Sequence, residues 1–116
     1  MRILAYLNVS FAGIFAFSKS VMMGETSDVR LLDARECLEV ARQHRDLIVG
    51  IKVRVGRNTS EAYGVFPLEL AVEVAEELAL PVMAHIDFPP PRRRDMLDRL
   101  RPGDVLTHCF RPFPNA

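Results

Sequence analysis

The sequence predicts an α/β fold in which strands and helices alternate in the order β-α-β-α-β-α-β. Four short segments are apolar almost throughout, which is typical of strands buried in a parallel sheet. The stretches between them carry helix-start residues or helical periodicity. Right-handed crossovers this short place four parallel strands side by side in sequence order. With 116 residues, the chain is long enough for one domain, so we expect a single domain over residues 1–116.

The composition excludes several functional classes. Hydrophobic residues make up 49% and charged residues 26%, which is ordinary for a soluble globular protein. Because Lys+Arg 15 and Asp+Glu 15 cancel, no net charge favours nucleic acid or an anionic membrane as partner. The apolar-rich residues 3–17 are too few to span a bilayer. Cys37 and Cys109 are too few for a disulfide scaffold, so we expect a cytoplasmic protein.

The first half of the chain contains two predicted strands and one helix. Arg2–Ser10 is mostly apolar and predicts the first strand, and Phe11–Leu32 forms a long connection. Asp33 is a helix N-cap candidate with Glu36 three residues later, and apolar residues follow at helical spacing. Leu47–Arg54 is apolar almost throughout and predicts a buried second strand.

The second half continues the alternation. Pro67 suits the first turn of a second helix. Leu80–Ile86 predicts the third strand, and the prolines of Pro89–Pro91 then break any continuing element. Arg92–Leu100 predicts a short third helix, and Asp104–Phe110 predicts the fourth strand.

Three chemistry-bearing residues lie near the carboxyl ends of three successive predicted strands: Lys52, His85 and His108. Each has a simple structural explanation when taken alone, because Lys52 could point to solvent and a histidine beside an apolar strand is commonly a core residue. Parallel strands lie only about 4.8 Å apart, however, so side chains at their ends can converge on one ion. Since imidazole suits zinc and similar metals, we favour a metal site.

Three segments resemble the amidohydrolase superfamily, most closely its dihydroorotase-like amidohydrolase/deacetylase branch. They are GIKVR (Gly50–Arg54), LPVMAHI (Leu80–Ile86) and RPGDVLTHCF (Arg101–Phe110). The resemblance extends from about Leu4 to Asn115. It implies that the four parallel strands form half of a (β/α)8 TIM barrel, corresponding to barrel strands three to six.

The resemblance also implies roles for the three residues. In this family a carboxylated lysine on the fourth barrel strand bridges two divalent metals, and histidines on strands five and six bind one of them. Lys52 would then be the bridging carbamate, with His85 and His108 as metal ligands and zinc as the expected cofactor. The implied activity is hydrolysis of a cyclic amide or N-acyl bond in a small-molecule substrate.

Two parts of the family's catalytic machinery have no counterpart in this sequence. It contains neither a His-x-His pair, which in the family binds the other metal, nor the eighth-strand Asp that acts as general base. We therefore assign no catalytic residue and expect this partial barrel to be inactive alone. Asp87 is the carboxylate nearest His85 in the sequence, and we expect a loop role for it.

An alternative is a non-catalytic small α/β protein that oligomerises or binds a metal or small ligand. Four strands taken from a closed barrel leave two open sheet edges, which readily pair with another chain. In either case we expect a homo-oligomer that covers these edges.

Overall fold

The computed structural model describes residues 1–16, 22–24, 26 and 28–110. The strands are β1 (Ala5–Asn8), β2 (Ile14–Ala16), β3 (Met22–Gly24), β4 (Ile48–Val55), β5 (Val82–Ile86) and β6 (Val105–Thr107). The α-helices are α1 (Ala34–Gln43), α2 (Phe66–Leu78) and α3 (Arg93–Leu97). Single 3-10 turns occur at Val29–Leu31 and Glu61–Tyr63.

A four-stranded parallel sheet with the order β1-β4-β5-β6 forms the centre of the fold. This confirms the predicted α/β class and the predicted strand order. The carboxyl ends of the four strands lie along one edge, which we call the carboxyl edge. The register there pairs Asn8 with Lys52, Arg54 with His85, and His85 with Thr107.

The two faces of the sheet differ in what covers them. In β4, Ile51, Val53 and Val55 are fully buried and belong to the hydrophobic core, against which α2 packs. The alternate residues Lys52 and Arg54 are only half-buried. Since successive side chains of a strand point to opposite faces, the helices cover one face, and Lys52 and Arg54 lie on the other. We call this second face the inner face.

The first two helices begin where the sequence places them. The Asp33 carboxylate accepts a hydrogen bond of 2.9 Å from the backbone N–H of Glu36, which caps α1 as predicted. Pro67 lies in the first turn of α2, where its missing N–H costs nothing. Helix α2 ends at Leu78, and the next residue, Ala79, adopts a left-handed φ of 56° and donates its backbone N–H to carbonyl groups of the last turn.

Several predicted elements are longer than those observed. The third helix ends at Leu97, and the first strand covers only Ala5–Asn8. The fourth strand ends at Thr107 because His108 takes a left-handed φ of 61° and begins a turn. The long first connection contains the antiparallel pair β2–β3, which was not predicted; residues 17–21, 25 and 27 of this connection lie outside the described part.

A buried carboxylate joins β5 to β6 at the opposite end of the sheet. The Asp104 side chain is 2% exposed and accepts hydrogen bonds from the backbone N–H groups of Val82 (2.8 Å) and Arg101 (2.7 Å). The Arg101 guanidinium also donates to it, at 3.1 Å. Desolvation by burial acts to raise the pKa of Asp104, but these hydrogen bonds and the Arg101 charge outweigh it and lower the pKa below 3.8.

Replacing this carboxylate is expected to destabilise the fold in a pH-dependent way. Asp104→Asn should lower the free energy of unfolding by about 1–3 kcal/mol at neutral pH, because hydrogen bonds to a charged acceptor are lost. A depressed pKa stabilises the fold above the ordinary carboxyl pKa of 3.8, and the effect is lost as the pH falls through the lower folded value. Urea unfolding should therefore show the two proteins converging below pH 3.8. A constant difference at all pH values would contradict this role.

Among residues 1–16, 22–24, 26 and 28–110, no helix has the length and apolar character needed to cross a membrane.

Candidate functional site

Two of the three predicted site residues, His85 and His108, lie at the carboxyl edge, whereas Lys52 lies three residues before the end of β4. Lys52 is in β4, His85 is in β5, and His108 directly follows β6. Lys52 pairs in register with Met83, and Arg54, two residues further along β4, pairs with His85. Because side chains two residues apart share a face, Lys52, Arg54 and His85 all belong to the inner face.

The two histidines are in direct contact. The ring centroids of His85 and His108 lie 4.7 Å apart with an interplanar angle of 78°, an edge-to-face arrangement. His85 is 7% exposed, whereas His108 is exposed at the start of its turn. The left-handed φ of His108 is uncommon outside glycine, and such conformations concentrate at functional sites. The contact between the two rings shows that the imidazoles converge, as the sequence predicts.

The surroundings of His85 set its protonation state. Burial lowers the pKa of His85, and the nearby charges of Arg54 and His108 lower it further. Asp87 opposes this shift, with its Oδ2 3.7 Å from His85 Nε2. The net lowering favours the neutral imidazole at neutral pH, which is the form that binds metals.

Arg54 is a site residue that the sequence reasoning missed. Its Nη2 lies 3.5 Å from His85 Nε2, so a guanidinium stands beside the buried imidazole. The strand alternation contains a signal for it, because a residue two positions after Lys52 must share its face. The residue type alone gives no such signal, because an arginine at the end of an apolar strand is usually solvated.

Asp87 is held by the loop that follows β4. Its carboxylate is buried and accepts hydrogen bonds from the Thr59 hydroxyl (3.2 Å) and the Asn58 backbone N–H (3.4 Å). These contacts agree with the expected loop role. The carboxylate also lies against the Cα of Gly56, where an added Cβ would overlap the carboxylate atoms. Asp87 thus links the loop that follows β4 to His85 at the carboxyl edge.

Gly56→Ala is expected to displace the Asp87 carboxylate and destabilise the fold by about 1–3 kcal/mol. The alanine methyl group would collide with the carboxylate, and Gly56 has a φ of +150° that L-residues rarely adopt. Gly64→Ala is a comparison variant: Gly64 has a φ of 56°, a left-handed conformation that alanine adopts at less cost, and open space where a Cβ would lie. Thermal unfolding should show the larger loss for Gly56→Ala; equal losses would contradict the collision with the Asp87 carboxylate.

Comparisons with known proteins agree with this geometry. The chain is 36% identical over 109 residues to a deacetylase of Agrobacterium fabrum, and 37% identical over 109 residues to a deacetylase of Brucella anthropi. Among solved structures, it is similar to a dihydroorotase (TM-score 0.83, 35% identity) and to an adenine deaminase (TM-score 0.84, 32% identity). No family model matches the chain.

The chain belongs to the amidohydrolase superfamily. The matches cover 94% of the chain for both deacetylases and the dihydroorotase, and 97% for the adenine deaminase. The predicted resemblance to this superfamily is thereby confirmed. The chain spans only about a quarter of the curated relatives' length, 26% in both cases, and 28% and 29% of the two solved structures. It therefore corresponds to part of an amidohydrolase barrel.

Proposed function

We propose that this amidohydrolase segment supplies part of a divalent metal centre, with Lys52, His85 and His108 as ligands. The whole protein would hydrolyse a cyclic amide or N-acyl bond of a small-molecule substrate. The contact between the two imidazoles, 4.7 Å apart at the carboxyl edge, is the observation that supports this most. In α/β barrels this edge is where ligands bind.

The residues present fit a zinc ion in part. Two neutral imidazoles are common zinc ligands, but zinc usually takes three or four protein ligands. Within the described ranges, His, Cys, Asp and Glu side chains form no group of three or more that could hold a metal ion. Lys52 would complete the set only after carboxylation, which turns its ammonium into an anion with oxygen donors. Zinc affinity should therefore depend on carbon dioxide as well as on the histidines.

The residues of the segment have distinct tasks in this proposal. Bound zinc would supply Lewis acidity toward a carbonyl group. His85, buried and neutral, would hold the ion from within the fold, and the exposed His108 would hold it from the solvent side. Arg54 would add a fixed positive charge at the same edge. We assign none of these residues as a general base, and expect the isolated chain to show no turnover.

Zinc titration of the 116-residue chain tests this proposal. Isothermal titration should show binding that weakens by roughly 100-fold or more in His108→Ala, because loss of a ligand should cost more than loss of an outer-shell partner. Zinc binding unchanged by this substitution would exclude the proposed ligand set. Turnover of N-acyl or cyclic amide substrates by the isolated chain would contradict the expected inactivity.

We also propose that a second copy of the chain covers the open edges of the sheet. Among the described residues, β1 and β6 each pair with one neighbour in the main sheet, which leaves one side of each strand open. Val105 in β6 pairs in register with Met83, so it also lies on the inner face. Its 37% exposure shows an apolar side chain of that face open to solvent. Light scattering during size-exclusion chromatography should give a dimer or larger species; a monomer at all concentrations would exclude this proposal.

A cytoplasmic setting remains part of the proposal. Cys37 is a free, buried thiol whose pKa burial raises to about 11, and Cys109 is also free. Free thiols are typical of reducing compartments.

A further inference from the structure

A buried hydroxyl joins the first connection to the end of β4. Thr26 is fully buried, and its Oγ1 donates to the backbone carbonyls of Arg54 at 2.6 Å and of Thr59 at 2.7 Å. Since a hydroxyl carries a single proton, the two carbonyls share it. They lie 28 and 33 residues further along the chain, so this one side chain holds together segments that are remote in sequence.

The hydroxyl takes the place of a strand partner. On the side of β4 that faces β1, the Lys52 carbonyl accepts the backbone N–H of Val9 at 3.0 Å. The next N–H on that side, that of Phe11, donates to the first connection instead. The first strand has therefore left the sheet at the point where β4 presents the Arg54 carbonyl, and the Thr26 hydroxyl satisfies this buried acceptor.

Each of the two acceptors is linked to a side chain that flanks His85. The Arg54 guanidinium Nη2 lies 3.5 Å from His85 Nε2. The Thr59 hydroxyl donates to the Asp87 carboxylate at 3.2 Å, and that carboxylate lies 3.7 Å from the same ring nitrogen. The Thr26 hydroxyl is thus bonded to the backbone of one flanking residue and to the backbone of the residue that holds the other.

We propose that Thr26 is a positioning residue that holds both of these flanking residues in place and so couples the first connection to the surroundings of His85. If the hydroxyl is removed, two buried carbonyls lose their donor, and local opening of the loop that follows β4 relieves the cost. Arg54 and Asp87 should then move away from His85 together. The inference requires no metal, so it does not depend on the proposed metal centre.

Hydrogen exchange of the metal-free chain, followed by nuclear magnetic resonance, tests this proposal in Thr26→Val, which keeps the side-chain shape and removes the hydroxyl. The reporters are the backbone N–H groups of Arg57 and Asp87, which donate to the carbonyls of Phe88 at 2.7 Å and Val55 at 3.3 Å. Their exchange should accelerate by roughly tenfold or more, because buried carbonyls are left without a donor. Thr26→Ser keeps the hydroxyl and should exchange at rates close to those of the wild-type chain.

A second readout reports the candidate site itself. Nuclear Overhauser contacts between the Arg54 side chain and the His85 ring should weaken in Thr26→Val and persist in Thr26→Ser. Ile48→Val is the matched control, because Ile48 is buried at the amino end of β4 and its truncation lowers the stability of the whole fold. This control should leave the contacts with the His85 ring and the exchange of the loop unchanged.

The outcomes separate positioning from a purely structural role. Exchange that accelerates equally throughout β4 and β5, with the contacts between Arg54 and His85 intact, would overturn the proposal, as would unchanged exchange in folded Thr26→Val. If Thr26→Val does not fold, Thr26→Cys has a weaker donor and should show the same changes to a smaller extent. The expected pattern in a chain that binds no zinc would support the role of Thr26 and reject only the proposed metal centre.

Discussion

Lys52→Ala is expected to weaken zinc binding by roughly 100-fold or more, beyond what is typical for the loss of an outer-shell partner. Lys52 lies on the inner face with His85, and the two histidines alone are too few to hold zinc tightly. Competition with a chromophoric chelator, in buffer equilibrated with carbon dioxide, measures the affinity of both proteins.

Two further variants decide whether a carbamate or merely a charge matters at this position. Lys52→Arg keeps a cation but cannot be carboxylated in the same way, so it should lose affinity as Lys52→Ala does. Arg35→Ala removes an exposed cation of α1 and should leave the affinity unchanged. Full zinc affinity in Lys52→Arg would show that Lys52 is not a ligand.

Ile51→Ala is expected to produce the largest loss of stability, about 2–5 kcal/mol. Ile51 is fully buried in the central strand β4, where it pairs in register with Leu7 on one side and Val82 on the other. Truncation would remove apolar contacts and leave a cavity between the sheet and the helices. Because domains of this size are stable by only about 5–15 kcal/mol, much of the net stability would be lost.

Denaturant unfolding of Ile51→Ala beside Leu47→Ala measures this effect. Leu47 immediately precedes β4 and is 47% exposed, so its truncation should cost less than about 1 kcal/mol. Equal losses in the two variants would contradict the placement of the core between the sheet and the helices.

The fold could be predicted where local pattern and tertiary context agree. The continuous apolar run of β4 and the Asp33 cap of α1 each specify their element locally. The pair β2–β3 could not be predicted, because strands of three residues are too short to show a periodicity. The end of β6 depends on the backbone of His108, which the composition of the segment does not reveal.

One part of the site could be predicted, namely the side chains that a parallel sheet brings together at the ends of neighbouring strands. His85 and His108 follow this rule, and the structure places their rings in contact. Arg54 and Asp87 act on His85 through side-chain geometry. The contact of Asp87 depends on the β4 loop, which folds back over β5 through Asn58 and Thr59. Such loop contacts involve residues distant in sequence and leave no periodic pattern.

The proposed metal centre is tested most directly by the zinc content of the wild-type chain purified without chelators. We predict about one equivalent of zinc or another divalent metal per chain by elemental analysis. We also predict that most of it is absent from His108→Ala purified in parallel. A wild-type chain without metal, or equal metal in both proteins, would contradict the proposal that Lys52, His85 and His108 form a metal site.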